Sequence, residues 1–473
     1  MPNSSEKIVQ QKLRQIPSVE KVLESPELQP YVEAFSHSMV TAAVKESVEL
    51  TREEVKKHKE AAPAQRIIQR VRDILDQQTS SSLRPVINAT GVILHTNLGR
   101  APLDEETASF IREISTNYSN LEFDLSEGKR SKRGLFVERL LCLPTSAEAA
   151  LAVNNNAGAV LLILSALAKS REVIVSRGEL VQIGGGFRIP EILSLSGAKL
   201  KEVGTTNQTR ISDYENAISP KTALLLKVHQ SNFKMVGFVE RPSINDLVKL
   251  GRKHKLLVVE DLGSGVLLRT EDFRLTHEPM VSEALSGGAD LVCFSGDKLL
   301  GAPQAGIILG KRKYVDVLKK HPLYRALRLD KMFLAGLEKV LLYYLKGEAT
   351  KRVPAWQMIS TPVETLHTRA EKIKDELEKS CIEVDIRESQ STIGGGSLPG
   401  ETLPTVIISV ESVSFVDRSV LSPDQQAKLF REQSTPIIGR IEDKKFVLDL
   451  RTVFPHQDQA LLSAIRGVFL KKS

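Results

Sequence analysis

A chain of 473 residues, 41% apolar and 26% charged, is long enough for two or three domains and for a large buried core. Its formal net charge of +7 is mild for that length, so charge has to be read by position. No run of about 18 apolar residues occurs, the N-terminal MPNSSEKIVQQKLRQ lacks the apolar core of a signal peptide, and Cys142, Cys293 and Cys381 stand far apart without CxxC spacing. These features exclude a membrane span, a disulfide framework and a zinc site, and lead to the expectation of a cytoplasmic protein with buried thiols and no metal.

Residues 1 to about 80 read as helices. The stretch SPELQPYVEAFSHSMVTAAVKESVELTREEVKKHKEAA keeps helical spacing from a Ser25-Pro26 start, with no turn signal until Pro63. Residues 1–62 carry nine Lys/Arg against ten Asp/Glu, so charge alone does not make this section an RNA binder. A helical domain is expected at 1–62 and a helical linker at 63–84. After SSSLRPVINAT, apolar runs alternate with helical patterns. Strands are expected at Val173–Ser176, Lys199–Val203, Ala223–His229, Leu256–Asp261, Leu291–Ser295 and Ala305–Leu309, with helices such as 157–169 and 243–254 between them. That alternation predicts an α/β domain around a mainly parallel sheet, assigned to 85–330. Helices near 331–346 and 361–380, strands in TVIISVE and IIGRIEDKKFVLDLRTV, and a terminal helix after Pro455 predict a smaller α+β domain over 331–473.

Two basic clusters stand out. Residues 311–352 hold twelve Lys/Arg against four acids, and GKRSKRG occupies 128–134. Each suits either a solvated surface or a phosphate backbone.

Ligands of open α/β sheets gather at the carboxyl ends of strands, so residues there are the candidates for chemistry. In LAVNNNAGAVLLIL a short strand ends in Asn154-Asn155-Asn156 and a helix begins at Ala157-Gly158-Ala159, whose small residues expose backbone N–H groups suited to phosphate, or Asn simply caps the helix. In LLVVEDLGSG, Asp261 ends an apolar strand; it can hold a ring nitrogen protonated, bind a metal or ribose hydroxyl, or form an Asx turn. In LVCFSGDKLLGAPQAGIILG, Lys298 stands between two core-like runs, where it either snorkels out or serves as a nucleophile. His229 follows another strand and is either a structural residue, a ring that stacks on a flat cofactor, or a proton carrier. A phosphate cup, a strand-end Asp and a strand-end Lys in this order match the needs of pyridoxal phosphate. Nucleotide readings fare worse, because neither GxxxxGK[ST] nor a helix-opening GxGxxG is present.

The segments GVILHTNLGRAPL, NNNAGAVLL, SRGELVQIGGGFRIPEI, VHQSNFKMVGF, FSGDKLLGAPQAGII, STIGGGSLPG and LDLRTV resemble those of bacterial selenocysteine synthases, the L-seryl-tRNA(Sec) selenium transferases, over nearly the whole chain. The resemblance implies a fold-type I pyridoxal-phosphate enzyme: an aspartate-aminotransferase-like large α/β domain, an N-terminal helical domain that grips tRNA, and a C-terminal α+β small domain. It implies Lys298 as the lysine that holds pyridoxal 5'-phosphate and Asp297 as a participant in proton handling. Asp261 would face the pyridine nitrogen, Asn156 to Gly158 and Ser295 the cofactor phosphate, and His229 the ring. Arg100, Arg325 and Arg328 would bind the anionic selenium donor. The implied reaction converts seryl-tRNA(Sec) to selenocysteinyl-tRNA(Sec) with selenophosphate, by elimination of water through a dehydroalanyl-tRNA and addition of selenium. The implied assembly is a large homo-oligomer, a homodecamer built as a pentamer of dimers, with no membrane partner. A related lyase acting on a small amino acid or amino sugar, and an RNA-binding or scaffold protein with an inert fold, are the alternatives. The roles of Arg440 and Arg451 stay open, since an aminoacyl ester has no free carboxylate for them to bind.

Overall fold

The computed structural model describes residues 4–58, 63–79, 83–183, 186–413 and 421–470. The chain forms two compact units, Met1–Pro85 and Val86–Ser473. In the first, helix His37–His58 lies against helix Ala64–Thr79. Val40, Val44 and Val48, one turn apart, meet Ile67, Val71 and Leu75, also one turn apart, so each helix buries a single stripe. Ser47 donates to the Ile67 carbonyl (3.1 Å) and Arg70 pairs with Glu54 (2.7 Å), fixing the two helices at the end of the stripe nearest their connection. The helix expected as a linker over 63–84 is therefore part of this unit's core. The long helical pattern that begins at Ser25 is broken at Phe35, whose backbone is extended (φ −123°, ψ 166°).

The second unit is organised by a seven-stranded sheet: β1 (Ala149–Val153), β2 (Glu172–Ser176), β3 (Lys199–Val203), β4 (Thr222–Val228), β5 (Leu257–Gly263), β6 (Leu291–Ser295) and β7 (Gly306–Gly310). Their spatial order is β1-β7-β6-β5-β4-β2-β3. Helices cover both faces, which is why the central strands β5 and β7 are buried at every position instead of alternating. Strand β7 runs antiparallel to both neighbours, while every other pairing is parallel. Helix Asn156–Leu167 leaves β1, and helix Ile244–His254, opened by a Ser243/Asp246 capping box, leads into β5.

Packing does not divide at residue 330. Leu334, Leu337, Val340, Leu341, Trp356 and Ile359 share one core with Phe294 of the large sheet and with Leu299 and Leu300 in the connection that follows it. Trp356 Nε1 (2.8 Å) and the Tyr344 hydroxyl (3.1 Å) both donate to the Leu299 carbonyl. The separate C-terminal core begins at helix Val363–Glu378, which with helix Asp458–Leu470 covers an antiparallel sheet of β8 (Ile382–Thr392), β9 (Thr402–Val413), β10 (Arg440–Glu442) and β11 (Lys445–Asp449), ordered β8-β9-β11-β10. Ile87 and Ala89 belong to that core too, because residues 87–88 pair with Ile437–Ile438.

Arg440 and Arg451 are structural. Arg440 pairs with the fully buried Asp449 (2.6 Å) and donates to the Thr90 carbonyl (2.7 Å), while Ser391 and Thr405 complete the carboxylate's shell. Arg451 donates to the carbonyls of Met358 (2.6 Å), Thr361 (2.9 Å) and Pro404. Arg440→Met leaves Asp449 buried without its cation. It is expected to lower unfolding free energy by about 3 kcal/mol, read as a shift in urea midpoint.

Candidate active site

Lys298 lies in the connection from β6 to β7, residues 296–305. Gly296 closes the connection, donating to the Ala305 carbonyl (2.8 Å) and accepting from Ala302 N–H (2.9 Å). The next two residues, Leu299 and Leu300, are completely buried. The chain around the lysine is therefore clamped inside the core, and its side chain, 3% exposed, has no route to snorkel out. Its amine donates to the Gly396 carbonyl (3.3 Å). Gly263 (φ +69°) and Gly396 (φ +77°) frame it; a Cβ on either would stand 3.6 and 3.2 Å from Nζ. Both positions combine a left-handed backbone with a close approach, so glycine satisfies two demands at once. Burial pushes the Lys298 pKa below the ordinary lysine value, against the attraction of Asp261.

Asp261 lies near the carboxyl end of β5, 6% exposed, and accepts from Asn156 Nδ2 (2.8 Å). Burial pushes its pKa up, opposed by that hydrogen bond and by Lys298. Asn156 opens the helix after β1. The preceding residue, Asn155, is the cap, with its Oδ1 accepting from Gly158 N–H (2.8 Å), which frees the Asn156 side chain to reach Asp261. Oδ1 of Asn156 is buried without a partner among the described residues.

These groups converge on a cavity of about 180 Å³ lined by Arg100, Asn156, Ala157, His229, Asp261, Ser295, Asp297 and Lys298. Arg100 enters from a left-handed residue (φ +55°), and its Nη1 bonds the nearly buried Asp297 carboxylate at 2.7 Å, leaving Nε buried and unpartnered among the described residues. His229 reaches the cavity with Nε2 turned toward Glu278 (3.3 Å).

Three expected site residues lie elsewhere. The Gly158 N–H is consumed by the cap, and Gly158 does not line the cavity. Arg325 is exposed. Arg328 pairs its backbone with Val153 at the end of β1, but its guanidinium turns to Glu122 (3.5 Å), a carboxylate shared with Arg133 (3.0 Å) and Arg130 (3.1 Å). Conversely, Ser231, Gln304, Gly263 and Gly396 belong to the site and were not singled out. For Gly396 a signal existed, since a GGG run marks close backbone approach.

Much of the basic cluster at 311–352 is internally paired: Lys311 with Asp290 (2.6 Å), Lys319 with Glu138 (2.6 Å), and Lys339 (2.6 Å) and Arg352 (3.4 Å) with Glu106. Lys320 and Lys132 are exposed.

The family model described as L-seryl-tRNA selenium transferase matches residues 86–454, and that of the selenocysteine synthase N-terminal region matches residues 13–52. The L-seryl-tRNA(Sec) selenium transferase of Carboxydothermus hydrogenoformans is 46% identical over 451 residues, covering 94% of this chain and 95% of that protein. Its counterpart in Clostridium botulinum (strain Loch Maree) is 43% identical over 448 residues, covering 94% and 96%. A solved D-glucosaminate-6-phosphate ammonia-lyase matches with a TM-score of 0.56 at 21% identity, covering 84% of this chain and 97% of that one, a likeness of fold alone. The fold is that of the fold-type I pyridoxal-phosphate enzymes, as the sequence led one to expect.

Proposed function

Because this chain belongs to the L-seryl-tRNA selenium transferase family, we propose that it converts L-seryl-tRNA(Sec) to L-selenocysteinyl-tRNA(Sec), with pyridoxal 5'-phosphate as cofactor and selenophosphate as selenium donor. One observation carries the reading: a buried lysine, a buried carboxylate and an exposed helix N-terminus meet in a single cavity. When bound there, pyridoxal phosphate supplies an electron sink for chemistry at an amino acid's α- and β-carbons.

The residues divide the remaining work. Lys298 holds the cofactor through its amine and, once released, moves the proton at the serine α-carbon; its lowered pKa favours the neutral amine that both tasks need. Asp261 keeps a proton on the ring nitrogen. The amides at Asn156 and Ala157, with Ser295, bind the cofactor phosphate at the positive end of the helix. Arg100, anchored by Asp297, brings its positive charge to the cavity wall for the anionic donor.

Arg325 and Arg328 do not enter this chain's own cavity, so in this reading they serve the cavity of a second copy. A homo-oligomer, decameric as in the family, is supported by an apolar surface where Phe123, Leu125, Leu135 and Phe136 are exposed around a groove of about 570 Å³. Among the described residues no helix is long and apolar enough to cross a membrane, and we place the reaction in the cytoplasm.

The tRNA is held by the N-terminal helical unit together with exposed basic residues of the two clusters. Since Lys319 is committed to Glu138, the informative charge reversals are Lys132→Glu and Lys320→Glu. Each phosphate contact removed is expected to weaken tRNA binding and to reduce the slope of log affinity against log salt by about 1; unchanged slopes in filter binding would remove these residues from the interface. The reading itself is tested by offering the loaded protein free serine, an amino sugar or seryl-tRNA(Sec). Turnover confined to the charged tRNA is expected, whereas turnover of a free amine alone would favour a small-molecule lyase.

A further inference from the structure

We propose that Glu278 is a positioning residue of this site, whose buried carboxylate accepts the Nε2 proton of His229 and holds that imidazole against the cavity. The inference rests on the cofactor part of the reading above, and extends it to a residue outside the cavity wall.

Glu278 is 2% exposed. It belongs to none of the helices or strands, and its place is fixed by backbone: its N–H donates to Thr270 Oγ1 (3.0 Å), which in turn donates to the Thr276 carbonyl (2.7 Å), while Pro279 follows it. A carboxylate in such a position is costly to bury and packs no better than Leu or Met would. Its Oε1 has no hydrogen-bond partner among the described residues, and neither has His229 Nε2; both atoms are buried, and they lie 3.3 Å apart. Two buried polar atoms at this separation, otherwise without partners, satisfy each other with a small rotation of the ring, and each is expensive to leave alone.

The pair also faces the chemistry. His229 lines the same cavity as Lys298 and Asp261, and its backbone N–H donates to the Asp261 carbonyl (2.8 Å). Glu278 is close enough to Lys298 to act on its charge. Once Nε2–H is donated to Glu278, the tautomer is set and the ring can neither flip nor swing into the cavity, which leaves a fixed flat face beside the place of the cofactor ring. The two carboxylates that line the cavity are committed elsewhere: Asp261 is engaged with Asn156, and Asp297 with Arg100.

The test compares Glu278→Leu, which removes the acceptor, with Glu278→Gln, which keeps an acceptor oxygen without the charge. Both are measured by visible circular dichroism of bound pyridoxal phosphate, by cofactor affinity, and by kcat and KM separately. The leucine variant is expected to lose most of the cofactor band's dichroism and about 10–100-fold in cofactor affinity or kcat, and glutamine to restore most of that loss. In a His229→Phe background, Glu278→Leu is expected to add little further loss. Glu278→Met replaces the leucine variant if the latter does not accumulate folded. Wild-type dichroism and affinity in the acceptor-less variant, a glutamine variant as impaired as leucine, or full additivity with His229→Phe would each overturn the proposal. The dichroism and affinity need only the cofactor. They therefore report on Glu278 even if the protein proved to act on another amino substrate.

Discussion

Lys298→Ala is expected to abolish covalent capture of pyridoxal phosphate and to reduce turnover on the order of 10⁴-fold or more. Lys298 is 3% exposed and its amine is held at the Gly396 carbonyl. No other lysine lines the cavity among the described residues, so no neighbour can replace it. Borohydride reduction followed by mass measurement of the protein checks the first half, and single-turnover assays check the second. The pH dependence has a definite sign. Burial lowers the Lys298 pKa, so the neutral amine persists to lower pH than in a free lysine. Capture of cofactor by the apoprotein should rise with pH, with a midpoint below the ordinary lysine value of about 10.4. A midpoint at or above that value would mean that the ammonium, and not the amine, is favoured in the pocket.

Asp261→Asn is expected to cost about 10³-fold in turnover while leaving the fold intact. The substitution keeps shape and an acceptor for Asn156 Nδ2, now at 2.8 Å, and removes only the charge. It also removes the partner whose attraction opposes the fall in the Lys298 pKa, so the capture midpoint should move further down. Turnover within a few-fold of wild type, with unchanged melting, would show that the carboxylate does not support the electron sink.

Asp261 and Lys298 were legible because each sits where a fully apolar run ends, LLVVED in one case and LVCFS in the other, and strand ends are where α/β sheets place their chemistry. Asn156 and Ala157 were legible from an abrupt change of pattern from strand to helix. What could not be read depends on distance along the chain. Gly396 reaches Lys298 from 98 residues away, and Lys319 is neutralised by Glu138 from 181 residues away, so a run of basic residues looked freer than it is. Glu278 carries no local pattern at all; only the folded chain brings it to His229.

The same reasoning applies to the fold. Six strands of the large sheet were placed within a residue or two, but the antiparallel direction of β7 is a property of the short connection through Lys298 and Gly301, not of its apolar composition. The helix Lys331–Leu345 was expected with the small domain because it follows the last strand. Its apolar stripe instead packs on the large sheet, where Tyr344 and Trp356 hold the Leu299 carbonyl and so brace the connection that carries the lysine. The roles of Arg440 and Arg451, open in the sequence, follow only from partners distant along the chain, Asp449 with the Thr90 carbonyl for the first and three backbone carbonyls for the second.

The most direct measurement of the central claim is transfer of labelled selenium. Protein loaded with pyridoxal phosphate is given seryl-tRNA(Sec) and selenophosphate carrying radioactive selenium, with Lys298→Ala as control; the tRNA is then isolated and its amino acid released. The account predicts label on the wild-type tRNA, released as selenocysteine, and none with the alanine variant. Label absent from the tRNA in both, with serine recovered unchanged, would contradict it.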